Sequence, residues 1–424
     1  MSLLIKNGFV VDPEQKTGRV CDIFIKVDAI NRVGQAIKEK ADQVIDAKEK
    51  IVMPGIVDMH VHLREPGRED KETVASGTRA GLRGGVTTVL AMPNTQPAID
   101  SAQNVALLQR IIKNSAQSNV FIAGAITLKR LGEELVDIDA LQKAGVAAFT
   151  DDGASVESDA IFTKALRLAK KHNLPLICHC EDVKLSRGGV INLGIVSTIL
   201  GLRGVSKASE YRRVERDIKL AEKENGRVHI AHVSCKESVE IIATAKKKKI
   251  AVTAETAPHY FSLDETLLTD YNTNMKINPP LRTKADIEAI KQGLRDGVID
   301  VIASDHAPHT ENEKDIEFDR AAFGTIGLET MLSVCITELI EPGVLDWVSL
   351  AAKLSLNPAR IIGAGRGTIG EGSIADLIIV DPLKEWVVSE ETICSQSKNS
   401  AFLGKKLKGA VECAVLAGKV AFKR

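Results

Sequence analysis

Two histidines lie two residues apart in the segment Ile56–Arg64, which reads IVDMHVHLR. Side chains two positions apart in a β-strand point to the same side, so His60 and His62 could bind one metal ion through their imidazole rings. A His-x-His pair often occurs by chance and indicates little by itself. Its position at the end of an apolar run is more informative, because barrel enzymes build their active sites at the carboxyl ends of their strands.

Further imidazoles and carboxylates follow other apolar runs of the chain. They are Asp151 and Asp152 in FTDDG, His179 in CHCED, His232 in AHVS, and Asp305, His306 and His309 in ASDHAPH. Nitrogen and oxygen ligands of this kind suit divalent ions such as zinc. Two ions about 3.5–4 Å apart could share one carboxylate and lower the pKa of a water molecule, which would make that water a nucleophile near neutral pH. The sequence therefore predicts a metal site where several strands end.

The segments that must position these residues alternate as strands and helices do in repeated βα units. Eight short apolar runs alternate with amphipathic segments, which indicates a parallel sheet covered by helices. The runs are Gly55–His62, Thr87–Met92, Asn119–Ile126, Gly145–Thr150, Leu174–Cys180, Arg227–Val233, Ile250–Glu255 and Asp300–Asp305. Helical spacing occurs at Asn104–Lys113, Asp159–His172, Tyr211–Glu224, Lys236–Lys248, Ala285–Asp296, Glu329–Ile340 and Ser349–Leu356. Eight strands within about 310 residues fit a (β/α)8 TIM-type barrel with insertions.

The two ends of the chain differ from its middle. Residues 1–53 and 366–424 read as short strands separated by turn residues, for example Leu3–Ile5 and Phe9–Val11 on either side of Asn7-Gly8. We therefore expect an α/β protein with two parts. Residues 54–365 would form the barrel, and both termini together would form one small β-sandwich domain beside it.

Composition limits the classes of partner. The 424 residues include 56 Lys and Arg against 56 Asp and Glu, so the formal net charge is zero, and only 4% of residues are aromatic. Binding to nucleic acids or anionic membranes needs a surface charge of one sign, and base stacking needs aromatic rings. The composition therefore argues against a nucleic-acid-binding or membrane-binding protein. Seven cysteines without a repeated spacing argue against a disulfide framework. Since no apolar run is long enough to span a membrane, we expect a soluble cytoplasmic protein.

Nine motifs follow one another along nearly the whole chain: DMHVHLREPG, MPNTQP, FTDDG, CHCED, AHVS, KINPPLR, ASDHAPHT, FGTIGLE and ADLIIVD. They resemble the amidohydrolase superfamily, and within it the bacterial-type dihydroorotases. The resemblance implies a barrel with a flanking β-sandwich and two zinc ions at the strand ends. The matching metal ligands are His60, His62 and Asp305 for one ion, His179 and His232 for the other, and Asp152 as the bridge. Because side chains alternate along a strand, only one of Asp151 and Asp152 should point inward.

The resemblance also implies a substrate. Dihydroorotases interconvert N-carbamoyl-L-aspartate and L-dihydroorotate in pyrimidine (UMP) biosynthesis. Dihydroorotate carries a carboxylate on a cyclic imide, and Arg64, two residues after His62, could hold that carboxylate with a bidentate fork. Asn94 and His309 would complete this clamp. By position, the residues that match contacts to the ring are Asn278, Phe323 and Gly324, and the residue that matches the general acid and base is Asp305.

Other features receive plainer interpretations. His229 lies three residues before His232 and should face the opposite side of its strand, toward the helices. His306 should point away from the ligands, and His259 fits either a support for them or a structural histidine. The charged loop 310–323 could close over the substrate.

Two alternatives stay open. Hydantoinases and allantoinases share the resemblance, but they typically bridge their metals with a carboxylated lysine, and no lysine lies between Gly145 and Gly153. The second alternative is a silent barrel that serves as a scaffold for aspartate transcarbamoylase, although silent relatives usually lose metal ligands. A homodimer and an association with the transcarbamoylase are both compatible with the sequence.

Overall fold

The computed structural model describes residues 2–424, whose strands form two large sheets and one small pair. The strands are β1 Ser2–Asp12, β2 Thr17–Lys26, β3 Ala29–Gly34, β4 Gln43–Asp46, β5 Ile51–Pro54, β6 Ile56–Val61, β7 Val86–Ala91, β8 Asn119–Gly124, β9 Ala148–Phe149, β10 Leu176–Cys178, β11 Ile191–Asn192, β12 Gly204–Val205, β13 Val228–Ile230, β14 Val252–Thr256, β15 Val301–Ile302, β16 Leu377–Val387, β17 Lys406–Leu416 and β18 Lys419–Lys423. The helices are α1 Val74–Arg83, α2 Ala102–Ser115, α3 Ile138–Lys143, α4 Asp159–Lys171, α5 Val183–Ser186, α6 Ile195–Leu200, α7 Ala208–Glu224, α8 Lys236–Lys247, α9 Lys284–Arg295, α10 Glu311–Lys314, α11 Met331–Cys335, α12 Trp347–Ala351 and α13 Asn357–Ile362.

Eight parallel strands form a barrel. They are hydrogen-bonded in the order of the chain, β6-β7-β8-β9-β10-β13-β14-β15. The first and last strands meet through the backbone beyond their ends: the His62 amide donates to the His306 carbonyl at 2.9 Å, and the His306 amide donates to the His60 carbonyl at 3.3 Å. The barrel is therefore nearly closed, and the carboxyl ends of its strands surround one mouth.

Burial follows the sequence patterns. All six positions of β6 and of β7 are buried, as expected for strands covered on both faces. The helices bury one face each; α4 is capped by the side chain of Ser158 and packs Phe162, Ala165, Leu166 and Ala169 against the barrel. A fully buried Leu or Phe contributes about 1.5–3 kcal/mol by leaving water. Within residues 2–424, no helix combines the length and apolar character needed to cross a membrane.

The two ends of the chain share the second large sheet. Its order is β18-β17-β16-β5-β1-β2-β3, and β4 pairs with β1. β16 runs antiparallel to β5, with Leu377 opposite Pro54 and Val380 opposite Ile51. The sheet has an apolar cluster of its own, which includes Leu3, Ile5, Ile23, Ile25, Leu377 and Val415. The predicted fold class is confirmed, and the exact domain boundaries at residues 54 and 365 stay a prediction.

Segment 395–399, between β16 and β17, reaches the barrel mouth. The Asn399 Oδ1 accepts from the His309 amide at 3.0 Å, and its Nδ2 donates to the carbonyls of Ala307 at 3.1 Å and Gly324 at 3.2 Å. The Ser397 hydroxyl donates to the Lys71 carbonyl at 2.7 Å. This segment, which we call the brace, therefore fixes loops that follow β6 and β15.

The predicted barrel strands agree with the structure in number and place, whereas several helices and the terminal strands differ. All eight barrel strands are present, but β9 and β15 keep only two residues each. The prediction of two strands separated by Asn7-Gly8 is wrong, because β1 continues through them with an irregularity between Ile5 and Gly8 and a φ of 62° at Asn7. Helices α1 and α3 and the insertion from α5 to β12 lay outside the predicted elements. The helices after β15 also change to π-helical turns at Ile336–Ile340 and Ala352–Leu356.

Candidate active site

The six predicted metal ligands gather at the barrel mouth. His60 lies in β6 and His62 just after it, and the other four follow β9, β10, β13 and β15: Asp152, His179, His232 and Asp305. All six are buried, with at most 7% of any one of them exposed. Residues that are far apart in the chain thus meet because the parallel strands end at one edge.

Asp152 lies at the centre of this cluster. Its Oδ1 is 3.2 Å from His60 Nε2, 3.6 Å from His232 Nε2 and 3.7 Å from His179 Nδ1. Its Oδ2 is 3.5 Å from His62 Nε2. Two sets of three side chains have ligand atoms within 4.8 Å of one another; they are His60, Asp152 and His232, and His60, His62 and Asp305.

The cluster fits divalent cations. His60 Nε2 and Asp152 Oδ1 are buried and have no hydrogen-bond partner within residues 2–424. A buried polar atom without a partner costs about 1–3 kcal/mol, and a cation between the two would bind both. Burial alone would raise the pKa of Asp152, but His60, His179 and His232 hold that pKa well below its ordinary value. An ionised carboxylate among imidazoles is a donor set that zinc-type ions accept.

Three residues at the mouth have a left-handed backbone although none is glycine. The φ angles are 62° at Arg64, 35° at His232 and 49° at Asp305. Such conformations cost about 1–3 kcal/mol each and persist only where the surrounding structure imposes them. Each residue lies just beyond a strand, so the turn breaks the strand's alternation and gives the side chain a new direction.

A cavity of about 250 Å³ opens beside the cluster. It is lined by eleven of the twelve predicted site residues, namely His62, Arg64, Asn94, Asp152, His179, His232, Asn278, Asp305, His309, Phe323 and Gly324. The twelfth, His60, is fully buried. The structure therefore brings the predicted metal ligands and the predicted substrate contacts to one place.

Arg64 reaches this cavity without an acidic partner. Its Nε donates to the Pro308 carbonyl at 3.1 Å, and it forms no ion pair with any described residue. Burial lowers the pKa of Arg64 to about 10, so the guanidinium stays charged at neutral pH. Its remaining N–H groups can serve an anion that enters the cavity.

His309 is held in its neutral form. Lys71 Nζ donates to its Nδ1 at 3.1 Å, and its Nε2 donates to the Phe323 carbonyl at 2.8 Å. Burial and the nearby cations Arg64 and Lys71 lower the pKa of His309 to about 3. The ring therefore ties the loop at Phe323 to the segment after β6.

Known proteins similar to this chain share its full length. A family model described as Dihydro-orotase-like matches residues 49–238. A dihydroorotase from Elusimicrobium minutum is 50% identical over 420 residues, which cover 99% of this chain and 97% of that protein. The chain belongs to the dihydroorotase family. Two further relatives agree. The dihydroorotase from Endomicrobium trichonymphae is 47% identical with 99% of each chain covered, and that from Geobacter metallireducens is 45% identical with 100% of each covered.

Solved structures support the fold. An L-hydantoinase (dihydropyrimidinase) from Arthrobacter aurescens superposes with a TM-score of 0.88 at 24% identity, covering 99% of this chain and 95% of that one. A D-hydantoinase from Thermus sp. gives 0.86, also at 24% identity, with the same coverage. The resemblance drawn from the motifs, to a family of cyclic amide hydrolases, is thus confirmed by the full-length dihydroorotase relatives.

In this member of the dihydroorotase family, three of the clustered histidines have a partner on their other ring nitrogen. The pairs are His60 Nδ1 with Glu255 Oε1 at 2.6 Å, His62 Nδ1 with Asn94 Oδ1 at 2.9 Å, and His179 Nε2 with Glu181 Oε2 at 3.2 Å. Such partners fix the tautomer and the orientation of a metal-binding ring. Asn94, which the motifs predict as a substrate contact, therefore also supports His62.

Glu255 and Glu181 are site residues that the sequence analysis missed. A signal existed for Glu255, because it ends the predicted barrel strand Ile250–Glu255, where burial is expected, and a buried glutamate is rare unless it is paired. Glu181 directly follows the CHC motif and also accepts from Asn278 Nδ2 at 2.9 Å. Burial would raise the pKa of Glu181, but His179 lowers it to about 2, so this carboxylate is ionised.

The predicted orientation of His229 toward the helices is wrong. Its Nε2 lies 3.1 Å from Glu255 Oε2 and its Nδ1 lies 2.8 Å from Thr253 Oγ1, below the mouth of the barrel. The regular strand ends at Ile230 and the backbone is left-handed at His232, so alternation cannot be counted across these residues. His259 has its Nε2 3.9 Å from Asp305 Oδ2.

Asp151 and His306 point away from the cluster, as the alternation of side chains predicts. Asp151 accepts from the amides of Ile126 at 2.8 Å and Thr127 at 3.1 Å, and from the Thr127 hydroxyl. His306 Nε2 lies 3.3 Å from Glu72 Oε2. Asp152 is therefore the aspartate of FTDDG that lines the cavity.

Glu313 ties loop 310–323 to the segment after β6. Glu313 pairs with Lys71 at 2.8 Å and with Arg68 at 2.9 Å. Burial would raise the pKa of Glu313, but these cations hold it well below its ordinary value. Farther along the loop, the centre of the Phe323 ring lies 4.4 Å from Lys276 Nζ, and this ring forms part of the cavity wall.

Proposed function

We propose that this member of the dihydroorotase family catalyses the reversible cyclisation of N-carbamoyl-L-aspartate to L-dihydroorotate, with loss of water, in UMP biosynthesis. Relatives named dihydroorotase at 44–50% identity over nearly the whole chain support the reaction. The observation that carries the proposal is Arg64, a guanidinium without an acidic partner in the same cavity as the His/Asp cluster.

The arginine suits a substrate that carries a carboxylate. A bidentate pair between Arg64 and a carboxylate would satisfy the guanidinium and orient the ring toward Asp305. The other proposed substrate contacts line the same cavity: Asn94, Asn278, His309, Phe323 and Gly324. Hydantoins, allantoin and dihydrouracil lack this carboxylate and would leave the arginine unpaired, so these alternatives fit the site less well.

Zinc is the proposed metal, with two ions per subunit. His60, His62 and Asp305 would hold one ion, His179 and His232 the other, and Asp152 would bridge them. When bound, the ions would act as Lewis acids and lower the pKa of water. The unpaired His60 Nε2 and Asp152 Oδ1 support this assignment, because both atoms are buried and lie 3.2 Å apart.

Asp305 is the proposed general base and acid. Burial would raise the pKa of Asp305, but His60, His62 and His232 lower it, so the group starts as a carboxylate that can accept a proton. In ring opening it would take a proton from the attacking water and deliver it to the ring nitrogen that leaves. In ring closure the same group works in reverse, so N-carbamoyl-aspartate should cyclise better at lower pH.

The proposed setting is the cytoplasm, with a small-molecule substrate and a homodimer as the assembly. None of the seven cysteines forms a disulfide, which suits a reducing compartment. Exposed apolar side chains at the insertion after β10 favour an interface: Leu193 is 61% exposed, Ile195 77% and Ile199 73%. Size-exclusion chromatography with and without aspartate transcarbamoylase separates a homodimer from a mixed assembly.

Parallel assays test the proposed reaction. Protein purified without chelators is assayed on dihydroorotate, allantoin and dihydrouracil, and its metals are measured on the same sample. We expect ring opening of dihydroorotate to be fastest, with about two zinc ions per chain, the stoichiometry that a pair of ions sharing one carboxylate requires. Faster turnover of allantoin or dihydrouracil would contradict the proposal, and so would an inactive, metal-free protein that regains nothing on adding Zn²⁺.

A further inference from the structure

We propose that Glu255 and His229 form a relay beneath the metal site that holds His60 in its ligand orientation and sets the metal affinity of the site. Neither residue touches the cavity, so both act through His60 as positioning residues. The inference rests on the proposed function, because it takes His60 to be a metal ligand.

The relay is a continuous chain of contacts that joins three barrel strands, β14, β13 and β6. Thr253 Oγ1 lies 2.8 Å from His229 Nδ1, His229 Nε2 lies 3.1 Å from Glu255 Oε2, and Glu255 Oε1 lies 2.6 Å from His60 Nδ1. His60 and His229 are 0% exposed and Glu255 is 1% exposed. Water therefore has little access to the two contacts of Glu255, whereas Thr253 at the end of the chain is only half-buried.

When both rings are neutral, as metal binding requires of His60, one arrangement of hydrogens satisfies every atom of this chain. An ionised carboxylate only accepts, so both histidines must donate to Glu255. His60 then carries its hydrogen on Nδ1, and its Nε2 presents a lone pair toward Asp152. His229 carries its hydrogen on Nε2, and its Nδ1 accepts from the Thr253 hydroxyl. The relay thus selects the His60 tautomer that can bind a metal.

The charge of Glu255 distinguishes this support from the others at the site. The partner of His62 is the neutral Asn94, and the partner of His179, Glu181, has a side chain that is 24% exposed. Glu255 is buried, so solvent screens its charge least, and it should raise the basicity of the His60 ring most. His60 also lies within 4.8 Å of Asp152, the proposed bridge, so a weaker His60 would affect the ion it holds with His62 and Asp305 most directly.

Glu255→Gln tests the charge without removing the shape. The glutamine oxygen can accept from His60, and its amide can donate to His229, whose ring then takes the other tautomer and donates to Thr253. We expect Zn²⁺ affinity, measured by competition with a chelating dye, to fall about 10- to 100-fold. The visible absorption of bound Co²⁺ should also change. The thermal midpoint of the metal-free protein should stay near that of the parent.

Glu329→Gln is the matched control. Its side chain is 6% exposed and accepts from the amides of Cys394 and Ser395, away from the cluster, so Zn²⁺ affinity should not change. Thr253→Val is a second test variant, because it removes the donor to His229 Nδ1 and frees that ring to change tautomer. We expect a loss of Zn²⁺ affinity smaller than that of Glu255→Gln but at least threefold.

The outcomes separate this inference from the proposed function. A parent protein that binds no Zn²⁺ overturns the proposed metal site and the relay with it. A parent that binds Zn²⁺ tightly while Glu255→Gln binds it equally well overturns the relay alone. If Glu255→Gln does not fold, an unchanged affinity in Thr253→Val overturns the relay in its place.

Discussion

Replacing Arg64 by Met would remove the cationic fork from the cavity and nearly keep the length of the side chain. Arg64 Nε is already engaged with the Pro308 carbonyl at 3.1 Å, so its two terminal nitrogens are what the substrate can use. Two hydrogen bonds to a charged group are worth about 1.5–3 kcal/mol each, or about 3–6 kcal/mol together. At about 1.36 kcal/mol per factor of ten, kcat/KM for dihydroorotate should fall about 10²- to 10⁴-fold.

The same substitution should hardly affect folding. Arg64 has no ion-pair partner within residues 2–424, so its removal leaves no acid unpaired. The variant loses the hydrogen bond to the Pro308 carbonyl, worth about 0.5–1.5 kcal/mol, and a 3.4 Å contact between Nη2 and His309 Nε2. In return, a charge no longer has to be buried. Thermal unfolding of the variant should therefore lie close to that of the parent.

Steady-state assays decide whether Arg64 binds the carboxylate of the substrate. The ring absorbance of dihydroorotate gives kcat and KM, and dihydrouracil serves as the uncharged ring. Arg64→Lys should fall between the parent and Arg64→Met because it keeps the charge without the fork. Arg167→Met is the control, because it breaks only an exposed ion pair with Glu224 on the barrel's outer surface. It should leave kcat/KM unchanged for both substrates. A loss below tenfold, or an equal loss on dihydrouracil, would refute the clamp.

Three further predictions concern the acids and His309. Asp305→Asn should lower turnover about 10²- to 10⁴-fold in both directions with an unchanged circular dichroism spectrum; near-normal turnover would remove it as the base. Asp152→Asn should lose its bound metal, as metal analysis can show. Asp151→Asn should keep its metal, while thermal unfolding should show a loss of about 1–3 kcal/mol in the free energy of unfolding. The pKa of His309, about 3, lies below its unfolded value of 6.5, so the unfolded chain binds the proton first as the pH falls. The contribution of His309 to stability should therefore fall as the pH drops from 6.5 toward 3. An NMR titration midpoint near 6.5 would contradict this.

The fold and the cluster could be predicted because they depend on periodic patterns. Apolar runs such as that of β6 mark strands, and the polar residue after each run marks a common edge. The prediction weakened wherever the backbone left its regular period. Alternation worked for Asp151 against Asp152, which are adjacent. It failed from His229 to His232, because the regular strand ends at Ile230 and His232 itself has a left-handed backbone.

The supporting residues were harder to predict because their roles depend on distance in space. Glu255 is identified by its contact with His60, a residue 195 positions away in the chain. Similarly, Asn399 lies between β16 and β17 and contacts His309 and Gly324, which follow β15 and lie 75 or more positions earlier in the chain. No local pattern encodes such contacts, whereas an acid at a position of a barrel strand that should be buried gives a usable hint.

The brace at residues 395–399 has a consequence for the order in which the site matures during synthesis. Every proposed metal ligand lies at or before Asp305, so a growing chain can gather its metals once the barrel is made. The His309 amide can donate to Asn399, and the Gly324 carbonyl can accept from it, only after the C-terminal strands have joined the sheet. An unfinished chain would therefore hold metal before it could hold substrate, and turnover would begin only when synthesis is nearly complete.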